Sequence, residues 1–268
     1  MHSEASLIGN PEIITPAQLE TATGRNVRVL VVDSGAETSH TALQNSSITC
    51  WQVVSGMQGT YRVMPEDGVD VFGHGTAVVW VIRQFAPDAT VESLRVLGGD
   101  LRSSSQRVLA GLNWAIDQGF DIINCSFGTA NPQVLEGYKK VVDRAFTRNV
   151  LLVSACNNFD HKQVELPGWF PTVVSTDFGK LESLQLRRRP GSMVEFVARG
   201  ERIRLPWKDG EYRETTGSSF AAPHLAALAA RIRELRPGWN ACQVKAALYE
   251  IAPEWTGVQD RSLPEPES

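Results

Sequence analysis

The chain has 268 residues, 42% of them hydrophobic, and 26 lysines and arginines stand against 30 aspartates and glutamates. That is enough apolar material for a packed core and excludes general disorder, and a net charge of −4 argues against a nucleic-acid partner. No apolar run approaches the roughly 18 residues of a membrane span, and no basic start with an apolar stretch marks a secretory signal, so a soluble, cytoplasmic protein without a membrane partner is expected.

In chain order, Val27–Val32 is a strand-length run whose one polar member is Arg28. Residues 54–70 are Gly-, Pro- or charge-rich and read as irregular. A helical run follows His74, and a strand lies near Val91. Gln106 to Gln118 places Val108, Leu109, Leu112, Ala115 and Ile116 on one stripe and stops at Gly119. Phe120–Phe127 is a second apolar run. The Asn131-Pro132 pair opens a helix that should turn Val134, Leu135, Tyr138, Val141, Val142 and Phe146 inward. Val150–Ala155 is a third buried-strand run, and residues 176–215 again read as irregular. Apolar strands alternating with amphipathic helices predict an α/β fold with a mainly parallel, doubly wound sheet.

Three segments carry chemistry. Asp33-Ser34-Gly35 ends the first buried strand, where open α/β sheets place their sites. Gly73-His74-Gly75-Thr76 sets a histidine between glycines. Gly217-Ser218-Ser219-Phe220-Ala221-Ala222-Pro223-His224 opens a long helix. Because proline is tolerated in the first turn of a helix, that helix must begin close to Ser219. A serine there is a plain cap or a nucleophile, and Asp33 and His74 each have a structural reading taken singly. Cys50, Cys125, Cys156 and Cys242 lack metal spacing and are read as thiols, with Cys125 and Cys156 as small buried hydrophobes. His2, His40 and His161 are too scattered for a metal site, His224 reads as structural, and Arg187-Arg188-Arg189 reads as a solvated face.

The order Asp…His…Ser is the one found in subtilisin. With these motifs, and with Asn124-Cys125-Ser126-Phe127-Gly128, Ser154-Ala155-Cys156-Asn157 and Pro167–Val174, the chain from about Thr15 to Ala252 resembles the subtilisin-like serine protease family. The resemblance implies a subtilisin-like three-layer sandwich and a serine endopeptidase working through an acyl-enzyme. Ser219 would attack, His74 would shuttle the proton, Asp33 would orient His74, and Asn157 would complete the oxyanion hole. It also implies that a protein or peptide substrate binds as an extended strand between Gly98-Gly99-Asp100-Leu101-Arg102 and Ser126-Phe127-Gly128, with a side-chain pocket beside Ser154, Ala155 and Cys156. Its peptidase domain would span 15–255, between an extension over 1–14 and a tail over 256–268.

No cofactor is implied. The calcium loop of many relatives, which interrupts the helix at the catalytic histidine, has no counterpart after His74, and Ala42 stands where a carboxylate ligand would be. Glu37, Asp67 and Asp70 are the first carboxylates to consider should an ion bind. Too few residues precede Asp33 for a folding prodomain, so unaided folding is expected. The rivals are a dedicated maturation or effector-activating protease with one partner substrate, and a catalytically silent peptide-binding relative.

Overall fold

The computed structural model describes residues 14–257; the expected extension and tail lie outside the described residues apart from their innermost positions. One nine-stranded sheet organises the chain. Its strands are β1 (Arg28–Asp33), β2 (Thr49–Ser55), β3 (Tyr61–Glu66), β4 (Thr90–Arg95), β5 (Ile122–Cys125), β6 (Leu151–Ala155), β7 (Val174–Gly179), β8 (Leu186–Arg188) and β9 (Phe196–Arg199). The spatial order is β3-β2-β4-β1-β5-β6-β7-β9-β8. The seven inner strands are parallel, and β3 and β8 pair antiparallel at the two edges.

Successive side chains of a strand face opposite ways, and β1 shows the consequence. Val29 and Val31 join the core formed with α2 (His74–Phe85), α5 (Ser218–Leu235) and α6 (Ala241–Ile251). Leu30 and Val32 join the opposite core, formed with α3 (Ser105–Asp117) and α4 (Leu135–Thr147). This is the helix–sheet–helix sandwich expected. α1 (Pro16–Thr21) carries a Thr15 capping box and sets Leu19 into the α5 side.

Four expectations need correction. The 54–70 region holds most of the β2–β3 hairpin, and 176–215 holds β8, β9 and a separate hairpin of β10 (Ile203–Pro206) and β11 (Tyr212–Thr215). β3, β8 and β11 are partly exposed, with charged residues among them, and so lack the apolar signature of the central strands; β9 and β10 are largely buried but only four residues long. In α4, Tyr138, Val141, Val142 and Ala145 are buried, whereas Leu135 and Phe146 are exposed, because they lie at the ends of the helix beyond its contact with the sheet. Arg187-Arg188-Arg189 is half-buried rather than a solvated face. Arg188 donates to the Tyr249 carbonyl at 3.0 Å and lies 4.7 Å from the Tyr249 ring centroid, and Arg189 pairs at 3.0 Å with the buried Asp177.

Candidate active site

β1 delivers Asp33 to the carboxyl end of the sheet, fully buried. One oxygen accepts the Ser34 N–H at 2.7 Å, and the two lie 2.8 and 2.9 Å from Nδ1 of His74, the first residue of α2. That approach depends on Gly75. A Cβ there would sit 2.0 Å from the Gly35 carbonyl oxygen, so only glycine lets the first turn of α2 close on the strand end. Ser34 fastens the same junction by accepting the Gly75 N–H at 3.0 Å.

A second carboxylate organises the turn. Asp70, nearly buried, accepts from Ser34 Oγ at 2.8 Å and from the N–H groups of Phe72, Gly73 and Thr76 at 3.0, 2.7 and 2.7 Å. It also accepts the Thr76 hydroxyl at 2.6 Å. The start of α2 has no side-chain cap of its own, and Asp70 satisfies its donors instead. With five donors on it, Asp70 is a structural acceptor rather than a calcium ligand. Burial alone lowers the His74 pKa, but the charge and hydrogen bond of Asp33, helped by the charge of Asp70, outweigh it. The net result lies above the ordinary 6.5.

α5 brings Ser219 to the same end of the sheet. The helix begins at Ser218, as expected, but Pro223 is its sixth residue and so falls in the second turn. The reason is local. Proline cannot donate to the carbonyl four residues earlier, which is that of Ser219. The Ser126 hydroxyl takes that place, donating to the Ser219 carbonyl at 2.8 Å. In return, Ser219 Oγ donates to the Ser126 carbonyl at 3.0 Å. Phe220, the next residue, lies 5.1 Å from the His74 ring centroid, and Trp207, at the end of β10, lies edge-on to it at 6.4 Å. An apolar roof therefore covers the imidazole.

The two asparagines divide differently from the expectation. The Asn157 amide donates to Glu165 Oε1 at 2.9 Å, and its Oδ1 accepts the N–H groups of Phe159 and Asp160, both at 2.9 Å. The partners of its side chain thus lie in the 159–165 segment and not in the Gly217-Ser218 loop. Asn158 meets that loop: its Oδ1 accepts both the N–H and the hydroxyl of Ser218 at 2.8 Å, and its Nδ2 packs against Gly217. Neighbouring residues leaving a strand point opposite ways, so the choice between them was a one-residue question.

The substrate-binding expectations also separate. Ser126-Phe127-Gly128 leaves β5 as an irregular strip, and Ser154-Ala155-Cys156 ends β6 beside it, with the Cys156 carbonyl accepting Ser218 Oγ at 2.6 Å. Gly98-Gly99-Asp100-Leu101 is not an open edge. It closes on itself as a turn: the Leu101 N–H donates to the Gly98 carbonyl, the Gly98 N–H to that of Arg102, and Leu101 takes a φ of 56°. Trp207 is a site residue that no sequence motif marked, Asp70 was considered only as an ion ligand, and Asn158 stood beside Asn157 as its equal in type. The Asp70 signal was there as a carboxylate three residues before the Gly-His-Gly turn. Among the described residues, no group of three or more histidines, cysteines or carboxylates could hold a metal ion.

A buried carboxylate–imidazole pair and a serine at a helix start thus lie at the same end of a mostly parallel α/β sheet. The subtilase model (Peptidase_S8) matches residues 24–265, and the chain belongs to the subtilase family of serine-type peptidases. Subtilisin E of Bacillus subtilis (strain 168) is 28% identical over 249 residues, covering 86% of this chain and 61% of that protein. The Major intracellular serine protease of the same organism is 31% identical over 228 residues, 78% of this chain and 69% of that one. A solved cold-adapted subtilisin-like serine proteinase superposes with a TM-score of 0.70 at 24% identity, over 86% of this chain and 83% of that one. The S41 psychrophilic protease gives 0.71 at 23% identity, over 85% and 83%; these two likenesses concern the fold alone.

Proposed function

We propose that this chain is a serine endopeptidase that cleaves peptide bonds through an acyl-enzyme on Ser219. The observation that carries the reading is the buried Asp33–His74 pair at 2.8 Å, set beside the start of α5. Rotation of the Ser219 side chain away from the Ser126 carbonyl brings its hydroxyl toward His74. The imidazole accepts its proton as Oγ adds to the scissile carbonyl, and returns that proton to the leaving amine as the C–N bond breaks. Water then repeats the cycle on the ester. Asp33 holds the tautomer and stabilises the imidazolium. The Ser219 N–H, in the first turn of α5 without an intrahelical acceptor, supplies one oxyanion donor.

We assign the second oxyanion donor to the Asn158 amide, not that of Asn157; its support is the contact of Asn158 with Gly217 and Ser218. The peptidase domain over 15–255 and an intracellular setting belong to the same proposal. The setting is supported by the likeness to a relative named for that location, and among the described residues no helix is long and apolar enough to cross a membrane.

A fluorophosphonate probe at neutral pH tests the reading. Adduct on Ser219, abolished by His74→Ala, is expected. Folded protein that takes up no probe at Ser219 overturns it in favour of a silent peptide-binding relative.

A further inference from the structure

We propose that the cleft beside Ser219 selects a lysine or arginine side chain on the residue preceding the cut, with Glu165 as its specificity-determining carboxylate. This rests on the peptidase reading above. Thr129 and Leu166 exchange backbone hydrogen bonds at 3.1 and 2.9 Å, which fastens the 165–168 turn across the end of the Ser126-Phe127-Gly128 strip. At its far end the turn backs onto β6: a Cβ on Gly168 would lie 2.9 Å from the Ala155 carbonyl oxygen and 3.3 Å from Ser154 Oγ. The 165–168 turn therefore joins the two walls expected to flank the substrate side chain.

Glu165 lies across this junction. A Cβ on Gly128 would meet its Oε2 at 2.7 Å and its Cβ at 3.1 Å, so the carboxylate rests directly on the Gly128 backbone. The side chain is half-buried. Its only hydrogen bond among the described residues comes from the neutral Asn157 amide, on Oε1, and no lysine, arginine or histidine there pairs with it. Asn157 is itself pinned by the Phe159 and Asp160 N–H groups, so the carboxylate is held in place without being neutralised.

Reach fits the charge. Ser126, whose carbonyl meets the nucleophile, and Gly128 are two residues apart, about 7 Å along extended chain. A lysine or arginine stem spans such a distance, whereas short side chains do not. An apolar side chain would desolvate the carboxylate with no compensating partner, and an acidic one would be repelled.

The test uses two peptidyl diphenyl phosphonates that differ only in lysine or phenylalanine at the residue before the phosphorus, with a small fluorophosphonate as reference. The chain should be labelled at Ser219 by the lysine probe at least about tenfold faster than by the phenylalanine probe. Glu165→Gln still accepts from Asn157 but lacks the charge. It should lose about ten- to a hundredfold of that preference, read as the ratio of the two peptidyl-probe rates within each protein, while fluorophosphonate uptake reports that Ser219 is still reactive, and Glu165→Lys should reverse the ratio. Equal or faster labelling by the phenylalanine probe, or an unaltered ratio in Glu165→Gln, overturns the assignment while fluorophosphonate labelling keeps the peptidase reading. No fluorophosphonate adduct in any variant overturns both.

Discussion

Ser126 and Ser219 exchange hydrogen bonds in both directions, each hydroxyl donating to the other's carbonyl. Pro223 makes this possible by leaving the Ser219 carbonyl without its helical donor. The strip expected to bind substrate is thereby fixed to Ser219 itself.

A double-mutant cycle measures that arrangement. Ser126→Ala should cost about 1–3 kcal/mol, because the Ser219 carbonyl loses its partner. In a Pro223→Ala background the new N–H can bond the same carbonyl, and the Ser126→Ala cost should shrink by about 1 kcal/mol. The Asn124 amide, which donates to Ser126 Oγ at 2.9 Å, is lost equally in both arms and cancels. Urea unfolding of the four proteins gives the coupling; strict additivity would mean that the proline does not set up the contact.

Asp33, His74 and Ser219 stood out as candidates in the sequence, two of them through backbone requirements nearby: Gly75 beside His74 for close approach, and Pro223 four residues after Ser219 near the helix start. The parallel core was legible from β-branched runs such as Val29–Val32. Three kinds of feature were not. Edge strands such as β3 and β8 carry charges at the positions a periodicity search reads. The Arg189–Asp177 pair joins positions whose individual codes say only "exposed". Asn157 and Asn158 are identical by sequence and differ only in which way each leaves β6.

That last distinction is open to a direct comparison. Asn158→Ala should lower turnover by about 10²–10³, the magnitude known for removing the oxyanion asparagine of subtilisin itself, with KM nearly unchanged. Asn157→Ala should leave turnover on a phenylalanine substrate within a few-fold. The opposite ranking in steady-state kinetics would return the role to Asn157.

Asp70 should be visible in a pH profile. In the proposed mechanism His74 must be neutral to accept the serine proton, so kcat/KM should rise as pH climbs through the raised His74 pKa. Asp70→Asn removes one of the charges that raise it, and the acid limb should move to lower pH. The same change weakens five hydrogen bonds at the start of α2 and should cost about 2 kcal/mol or more of stability. An acid limb that stays in place would show that the Asp70 charge does not reach the imidazole.

Calcium should leave the protein unmoved. Two of the three carboxylates first in line for an ion are engaged, Asp70 by five donors and Glu37 by the Gly210 N–H at 3.4 Å, which leaves Asp67 as a single carboxylate where calcium needs about six to eight oxygens. Thermal unfolding in excess chelator and in millimolar calcium should give the same midpoint. A rise of several degrees would require a strong site on the folded state.

His224 sets a different pH dependence. It is buried in α5, its ring 4.8 Å from that of Phe85, and neither nitrogen has a hydrogen-bond partner among the described residues. Burial, with a smaller push from the positive charge of Arg199, lowers its pKa to about 3. The folded state therefore keeps the imidazole neutral, while the unfolded chain takes up a proton below pH 6.5. Stability is complete above 6.5 and falls as pH drops from 6.5 toward 3, by about 3 kcal/mol between pH 7 and pH 4 from this group alone. His224→Leu replaces a side chain with two unpartnered nitrogens by one of similar volume, so its cost at pH 7 should stay below about 1.5 kcal/mol. At pH 4 the variant should be the more stable of the two. Urea unfolding at both pH values decides it: parallel losses in the two proteins would mean that His224 finds a proton-binding partner in the folded state.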